Sequence, residues 1–365
     1  MRRLDHYWYH KNLLSRLLVP VSWLFCLVSM VRRKAYQVGL LKVTRLPVPV
    51  IIVGNISVGG TGKTPLVVWL VHFLKQAGYT PAVVSRGYGG KAGQWPQRVT
   101  PDGDARRVGD EALLLAQRCH CPMAVAPDRV AAAHSVLKNN ECDVIVCDDG
   151  LQHYALARDI EIAVIDGVRR FGNGHCLPAG PLREPQSRLE SVDFVVVNDT
   201  EYAAHGCGGS WASLRSPHLG ILPGASVAKG TMPEASATHG QFSMRLCGSV
   251  FHHVGNDDKI CDASAFHGQV VHAIAGIGHP ARFFEHLKKL GVDIIEHAFP
   301  DHHVFTAQDL QFDDGYIVVM TEKDAVKCRR FAGENHWYIP VDAQLSPEFG
   351  ERFLEQLKMR KESNG

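Results

Sequence analysis

GNISVGGTGKTP, residues 54–65, decides the fold of this 365-residue chain. Before it runs PVPVIIV (47–53), a β-branched stretch suited to a buried parallel strand. After it, residues 66–70 (LVVWL) continue in a helical pattern. Strand, glycine-rich turn and helix match the phosphate-loop signature G-x-x-x-x-G-K-[ST] except at its first slot, which holds Ser57. The chemistry survives that exchange, because Gly59, Gly60 and Gly62 still let backbone N–H groups converge on phosphate oxygens at a helix N-terminus. Ser57, Val58, Gly59, Gly60, Thr61, Gly62, Lys63 and Thr64 are thus the expected phosphate cradle. Lys63 can reach the β- and γ-phosphates, and the Thr64 hydroxyl suits a Mg²⁺ position. The pattern predicts a nucleoside triphosphate site.

A strand bearing an acid for the metal should follow, and residues 143–150 (DVIVCDDG) end in two carboxylates, Asp148 and Asp149. On a continuing strand these point to opposite sides, so one is expected to face the metal and the other to fix a loop. Further strands are predicted at 81–84, ahead of the SRGYGG turn with Arg86, at 160–166 and at 194–198. Strands alternating with helical stretches imply a parallel α/β sheet, with its ligand at the carboxyl ends of the strands. Guanine specificity would want N/T-K-x-D, and TEKD (321–324) has its lysine one place off. Membrane-associated ATPases that dimerise through a signature lysine carry it where this chain has Val58. ATP with Mg²⁺ is the expected pair.

Composition bounds the rest. With 45% hydrophobic and 21% charged residues, the chain is neither disordered nor collagen-like. Ten cysteines without a CxxC pair give neither a disulfide framework nor a zinc site. A net charge of +2 makes no case for a nucleic-acid partner, and none is expected. Its distribution says more: residues 1–45 hold nine Lys/Arg against one acid, Asp5. Within that head, residues 17–31 (LLVPVSWLFCLVSMV) are uncharged, shorter than the roughly 20 residues of a spanning helix. Aromatic residues and flanking cations predict a helix lying on an anionic membrane surface.

The stretch 201–266 is rich in Gly, Ser, His and Ala and reads as a poorly patterned linker. Its histidines, His205, His218, His239, His252 and His253, lack ligand spacing and are expected to be solvent-facing. Order returns at 270–275 (VVHAIA), GIGHPARFFEHLKKLGV and Ile294–Ile295, one βαβ unit, with a further strand at 317–320. GIGHPA (276–281) also fits the dinucleotide fingerprint with Asp301 downstream, a weak signal in a chain already carrying a phosphate loop. The expected plan is two α/β/α domains with a membrane-associated N-terminal helix. Residues 1–45 form the interface segment, 46–200 a P-loop domain of NTPase type, 201–266 the linker and 267–365 a smaller α/β domain.

Taken in order, NISVGGTGKTP, SRGYGG, GDEALLLA, CDDGLQH, GNGHCLPAGPLREP, GIGHPARFF, DHH and MTEKDAVKC resemble the tetraacyldisaccharide 4′-kinase family over about residues 5–345. Ser57 is that family's own form of the loop. The resemblance implies transfer of the ATP γ-phosphate to the 4′-hydroxyl of a tetraacylated glucosamine disaccharide 1-phosphate, a lipid A precursor. It places the enzyme on the cytoplasmic face of a bacterial inner membrane, held peripherally by its N-terminal helix. It also implies an aspartate–histidine dyad, which by motif falls on Asp110 of GDE and His302 of DHH. Lys63 joins them as a catalytic candidate. Glu111 joins Thr64, Asp148 and Asp149 as a Mg²⁺ candidate. Asp110 has a second reading, as a cap of the helix that follows. Arg183 of GPLREP suits either a phosphate contact or a surface turn, while Lys323 and Asp324 are expected to pair structurally, outside the site.

Overall fold

The computed structural model describes residues 5–9, 12–199 and 240–362. A short helical turn, α1 (Asp5–Trp8), leads into the 25-residue α2 (Leu13–Gln37), capped by the Asn12 side chain accepting from the Ser15 N–H. The first half continues through β1 (Val50–Gly54), α3 (Lys63–Gln76), β2 (Pro81–Ser85), β3 (Gln97–Arg98), α4 (Ala105–Val108), α5 (Asp110–Cys119), β4 (Met123–Val125), α6 (Arg129–Asn139), β5 (Val144–Asp148), β6 (Ile160–Asp166) and β7 (Phe194–Asn198). After residue 239 come β8 (Gly240–Cys247), β9 (Val250–His253), β10 (Asn256–Asp262), β11 (Val270–Ala275), α7 (Pro280–Lys289), β12 (Asp293–Ala298), β13 (Ile317–Thr321), α8 (Glu322–Cys328), β14 (His336–Ile339), β15 (Asp342–Leu345) and α9 (Pro347–Glu362).

Two sheets organise these elements. The first has the order β15-β8-β7-β6-β1-β5-β2-β4-β3, parallel except for β15 and β3 at its edges. Its central strands β1, β2, β5 and β6 are buried along their whole length, which is why they read as unbroken apolar runs. The glycine-rich loop leaves the carboxyl end of β1, in the middle of the sheet. The second sheet runs β10-β9-β14-β13-β11-β12, with β11 to β14 parallel to one another and the antiparallel hairpin β9–β10 adding to β14 through an antiparallel pairing of β9. Each sheet carries apolar clusters on both faces. The described residues form an α/β fold.

The expected boundaries are corrected in two places. Within the stretch 201–266, β8 adds to the first sheet beside β7, and β9 and β10 belong to the second. Their periodicity was masked because β8 is only partly buried and β10 is exposed along nearly its whole length. At the other end, β15 and α9 return from the expected second domain to the first sheet. Phe349, Phe353 and Leu357 are fully buried there against Leu66, Leu70 and Phe194. Burying side chains of this size contributes about 1.5–3 kcal/mol each, enough to hold the C-terminal helix on the first domain.

Helix α2 is turned inside out. Its buried residues are Ser15 and Ser22, while Leu17, Trp23, Leu24, Val28 and Val31 are more than half exposed. The Ser22 hydroxyl donates to the Cys176 carbonyl (2.5 Å) and accepts from the Ala179 N–H (3.0 Å). Those two residues lie in the GNGHCLPAGPLREP segment. Further along it, the Pro181 carbonyl accepts from the Val58 N–H (2.8 Å) and the Arg183 N–H donates to the Ile56 carbonyl (2.7 Å). One strap therefore joins the apolar helix to the glycine-rich loop.

Candidate active site

The loop after β1 takes its shape from two left-handed glycines, Gly59 (φ 105°) and Gly62 (φ 94°), the latter capping α3. A Cβ on Gly62 would lie 2.7 Å from the Asn198 amide nitrogen, so only glycine fits. Thr64 is the second residue of α3, and Lys63 folds back under the loop. Its ammonium donates to Asn55 Oδ1 (3.2 Å) and lies 3.5 Å from Asp149. Asn55 in turn donates to the Ser57 carbonyl at 2.7 Å, bracing the loop from beneath.

Asp148 and Asp149 part company, though not by strand alternation: β5 ends at Asp148 and Asp149 turns left-handed. Asp149, at φ 49°, bonds Arg183 through both oxygens at 3.2 Å, and with Lys63 and Arg183 beside it its carboxyl drops to about 2 despite burial. Arg183 thus fixes an acid. Asp148 accepts from the Ser85 hydroxyl (3.0 Å) through one oxygen, while its other, buried oxygen has no hydrogen-bond partner. Burial together with the nearby charges of Asp149 and Glu111 pushes Asp148 up to about 7. An orphaned buried carboxylate oxygen beside a second carboxylate fits a cation.

At the start of α5, Gly109 holds φ 94°, and its Cα side faces the SRGYGG backbone so closely that a Cβ would meet the Tyr88 carbonyl at 2.4 Å. This packing sets Asp110 as the first helical residue. One Asp110 oxygen accepts locally from the Glu111 N–H (3.0 Å), as a helix-start acid does. The other faces the second domain, where it accepts from His302 Nδ1 at 3.1 Å. Gly109 is the N-cap and no side chain caps the helix, so the reading of Asp110 as a cap is corrected: it is the first helical residue and pairs with His302. His302 itself sits at φ 60°, in the turn after β12, with its ring centroid 5.2 Å from that of Tyr88. His303 points elsewhere, to Asp309 (3.4 Å). Desolvation opposes ionisation of Asp110, but the His302 hydrogen bond and Lys323 outweigh it and bring the carboxyl to about 2. The same hydrogen bond raises His302 above its ordinary value of 6.5, against burial and the Lys323 charge. A cavity of about 650 Å³ opens beside the pair, lined by Leu113, Phe305, Arg106 and Lys327 among others.

Lys323 was expected to stand outside the site and pair with Asp324; both expectations are corrected. Its ammonium bonds Glu111 (2.9 Å) and lies 3.5 Å from Asp301, the neighbours in sequence of the two dyad residues. Burial opposes its charge, yet Glu111, Asp110 and Asp301 raise its pKa well above the usual lysine range. The one signal for it was position, since TEKD starts at the carboxyl end of a parallel strand. Asp324 instead turns inward, accepting from the Gly276 N–H at 2.8 Å. The chain's own carboxylate thus fills the turn of the dinucleotide-like GIGHPA. Of the five histidines in the expected linker, His205, His218 and His239 lie outside the described residues. His252 is half-buried beside Tyr338, and His253 is buried against Trp337, so neither is solvent-facing as expected.

The chain is similar to known proteins over nearly its whole length. The family model for tetraacyldisaccharide-1-P 4′-kinase matches residues 14–358. A tetraacyldisaccharide 4′-kinase of Nitrosococcus oceani is 48% identical over 352 residues, spanning 96% of this chain and 93% of that protein. One from Aromatoleum aromaticum is 48% identical over 359 residues, covering 98% and 97% respectively. Among solved structures, LpxK from Aquifex aeolicus in complex with ATP superposes with a TM-score of 0.74 at 27% identity, covering 96% of this chain and 99% of that one.

Proposed function

This chain belongs to the tetraacyldisaccharide-1-P 4′-kinase family, and on that premise we propose how its own residues carry out phosphoryl transfer from ATP to the 4′-hydroxyl of the tetraacylated disaccharide 1-phosphate. The observation that carries the mechanism is the hydrogen bond between Asp110 and His302, drawn from two domains to one point. A carboxylate only accepts, so Asp110 keeps the His302 proton on Nδ1 and leaves Nε2, 3.9 Å from Asp301, as a lone-pair acceptor. His302 takes the proton of the 4′-hydroxyl. The oxygen forms its bond to the γ-phosphorus as the bond to the ADP oxygen breaks, and Asp110 steadies the imidazolium that results.

The remaining residues position charge. The backbone from Ser57 to Thr64 cradles the phosphates, and Lys63 turns from Asn55 toward the β- and γ-phosphates when nucleotide enters. Mg²⁺ would be held by Thr64 and Asp148, with Asp149 behind them, and would neutralise charge on the β- and γ-oxygens. Asp148's orphaned oxygen supports that assignment. Glu111, the fourth candidate, is engaged by Lys323 and serves to hold the two domains at the dyad.

Helix α2 meets the bilayer. Its outward Leu, Val, Trp and Phe side chains, with Arg32 and Arg33 anchored to Gln152 and Ser191, support an attachment lying along the cytoplasmic leaflet, where the glycolipid acceptor resides. The test is transfer of γ-³²P from ATP to the tetraacyldisaccharide 1-phosphate in detergent micelles with Mg²⁺, beside an acceptor-free control. Label at the 4′ position of the glycolipid is the expected result. Label released only as phosphate, at the same rate without acceptor, would sink the proposal.

A further inference from the structure

Asp166 closes β6 with a side chain that is almost wholly buried yet collects donors from two domains. Oδ1 accepts from the N–H groups of Val168 (3.0 Å) and Arg169 (2.9 Å) and from Arg282 Nη2 (2.6 Å). Oδ2 accepts from Arg169 Nε at 2.9 Å. Arg282 lies in the first turn of α7, on the second sheet, and is the only cross-domain member of the group. Arg169 reaches the other way: its Nη2 donates to the Gly60 carbonyl, and Nη1 stands 3.0 Å from where a Cβ on Gly59 would lie. Asn198, at the end of the neighbouring strand β7, donates to the next carbonyl, that of Thr61, at 3.1 Å.

Gripping a carbonyl fixes more than the carbonyl. In a planar trans peptide the C=O of one residue and the N–H of the next point in opposite directions. Arg169 on Gly60 therefore turns the Thr61 N–H away from itself, and Asn198 on Thr61 does the same for the Gly62 N–H. These are donors of the cradle. Orienting them beforehand removes a cost that binding would otherwise meet.

We propose that Arg282, acting through Asp166 and Arg169, is a positioning residue that couples docking of the second domain to the phosphate-binding geometry of the glycine-rich loop. The inference rests on residues 57–64 being the nucleotide cradle. Coupling of this kind is reciprocal: a docked second domain tightens nucleotide binding, and bound nucleotide favours docking. The same contact would then bring His302 to Asp110 when the donor is in place.

The experiment is calorimetric titration of the full chain with ATP and Mg²⁺, without acceptor, for wild type, Lys63→Ala, Arg169→Ala, Arg282→Ala and the Arg169→Ala/Arg282→Ala double variant. Arg282→Ala, remote from the nucleotide, is expected to weaken ATP binding by about 5- to 150-fold. The double variant should bind no more weakly than Arg169→Ala alone, because the two residues act in series. Amide hydrogen exchange over residues 58–63, without nucleotide, should be faster in Arg282→Ala while exchange in β11 and β13 stays at the wild-type rate, which separates loss of this contact from unfolding of the second domain. Wild-type ATP affinity in Arg282→Ala, or losses that simply add in the double variant, overturns the coupling. If Lys63→Ala also binds ATP as wild type does, the cradle assignment falls and takes the coupling with it.

Discussion

Asp110 and His302, 192 residues apart, share a 3.1 Å hydrogen bond at the meeting of the two domains. Each half of the pair is held from its own side. Gly109 and the SRGYGG backbone set the aspartate, and the strained left-handed turn after β12 sets the histidine. A residue with a β-carbon at φ 60° persists only where its surroundings demand it.

Replacing His302 with Ala is expected to lower kcat by about 10² to 10⁴, the usual worth of a general base, while ATP affinity stays near wild type. His303→Ala should leave kcat within a few-fold, because His303 faces Asp309. Steady-state kinetics beside ATP titration checks both; near-wild-type turnover in His302→Ala would remove the dyad.

The pH profile carries a signed prediction. His302 works as a base only when neutral, and its hydrogen bond to Asp110 raises its pKa above 6.5. The rate should therefore fall tenfold per unit on the acid side of a limb placed above 6.5. Removing the carboxylate in Asp110→Asn lowers that pKa, so the limb moves to lower pH while the maximal rate drops. A limb that stays put assigns the titration to another group.

Lys323→Met should move the same limb the other way. The lysine charge depresses His302, so its loss lets the imidazole hold its proton to higher pH. Lys323→Arg keeps the charge and is expected to restore the limb, with kcat between wild type and Met. A loss of rate without a shifted limb would leave Lys323 only a mechanical clip between Glu111 and Asp301.

For the metal, Asp148→Asn is expected to raise the Mg²⁺ concentration giving half-maximal activity by tenfold or more, on the order of the 10- to 100-fold seen when groups around a metal are altered. Activity as a function of free Mg²⁺ measures it. An unchanged Mg²⁺ requirement would point away from Asp148 as a ligand.

The membrane face separates from the fold in two substitutions. Leu24→Glu with Val28→Glu alters outward side chains only, so the protein should stop sedimenting with vesicles containing anionic lipid while its Tm holds. Ser22→Ala strands the Ala179 N–H and the Cys176 carbonyl and should cost about 1–3 kcal/mol in stability. Denaturant melts read that loss; an unchanged unfolding free energy in Ser22→Ala would discount the strap.

Local chemistry was legible in the chain itself. The β-branched run 47–53, the glycines of the loop and the acid-tipped strand 143–149 are short-range patterns, and a residue's neighbours in sequence suffice to specify a strand, a turn and a helix start. The motif order carried the family for the same reason. What only the tertiary structure decided are pairings between distant segments. Strand β8 and the segment β15–α9 joined the first sheet because its edges and the apolar face of α3 needed covering, a demand invisible in their own weak periodicity. Composition marked α2 as apolar, but its two buried serines, and hence its outward face, came from the strap it docks against. The choice of His302 over His303, the place of Lys323 among Glu111 and Asp301, and the reach of Arg282 to Asp166 all depend on how one domain sits on the other. Side-chain hydrogen bonds across such an interface leave no periodic trace in sequence, because their partners are fixed by docking geometry rather than by spacing along the chain.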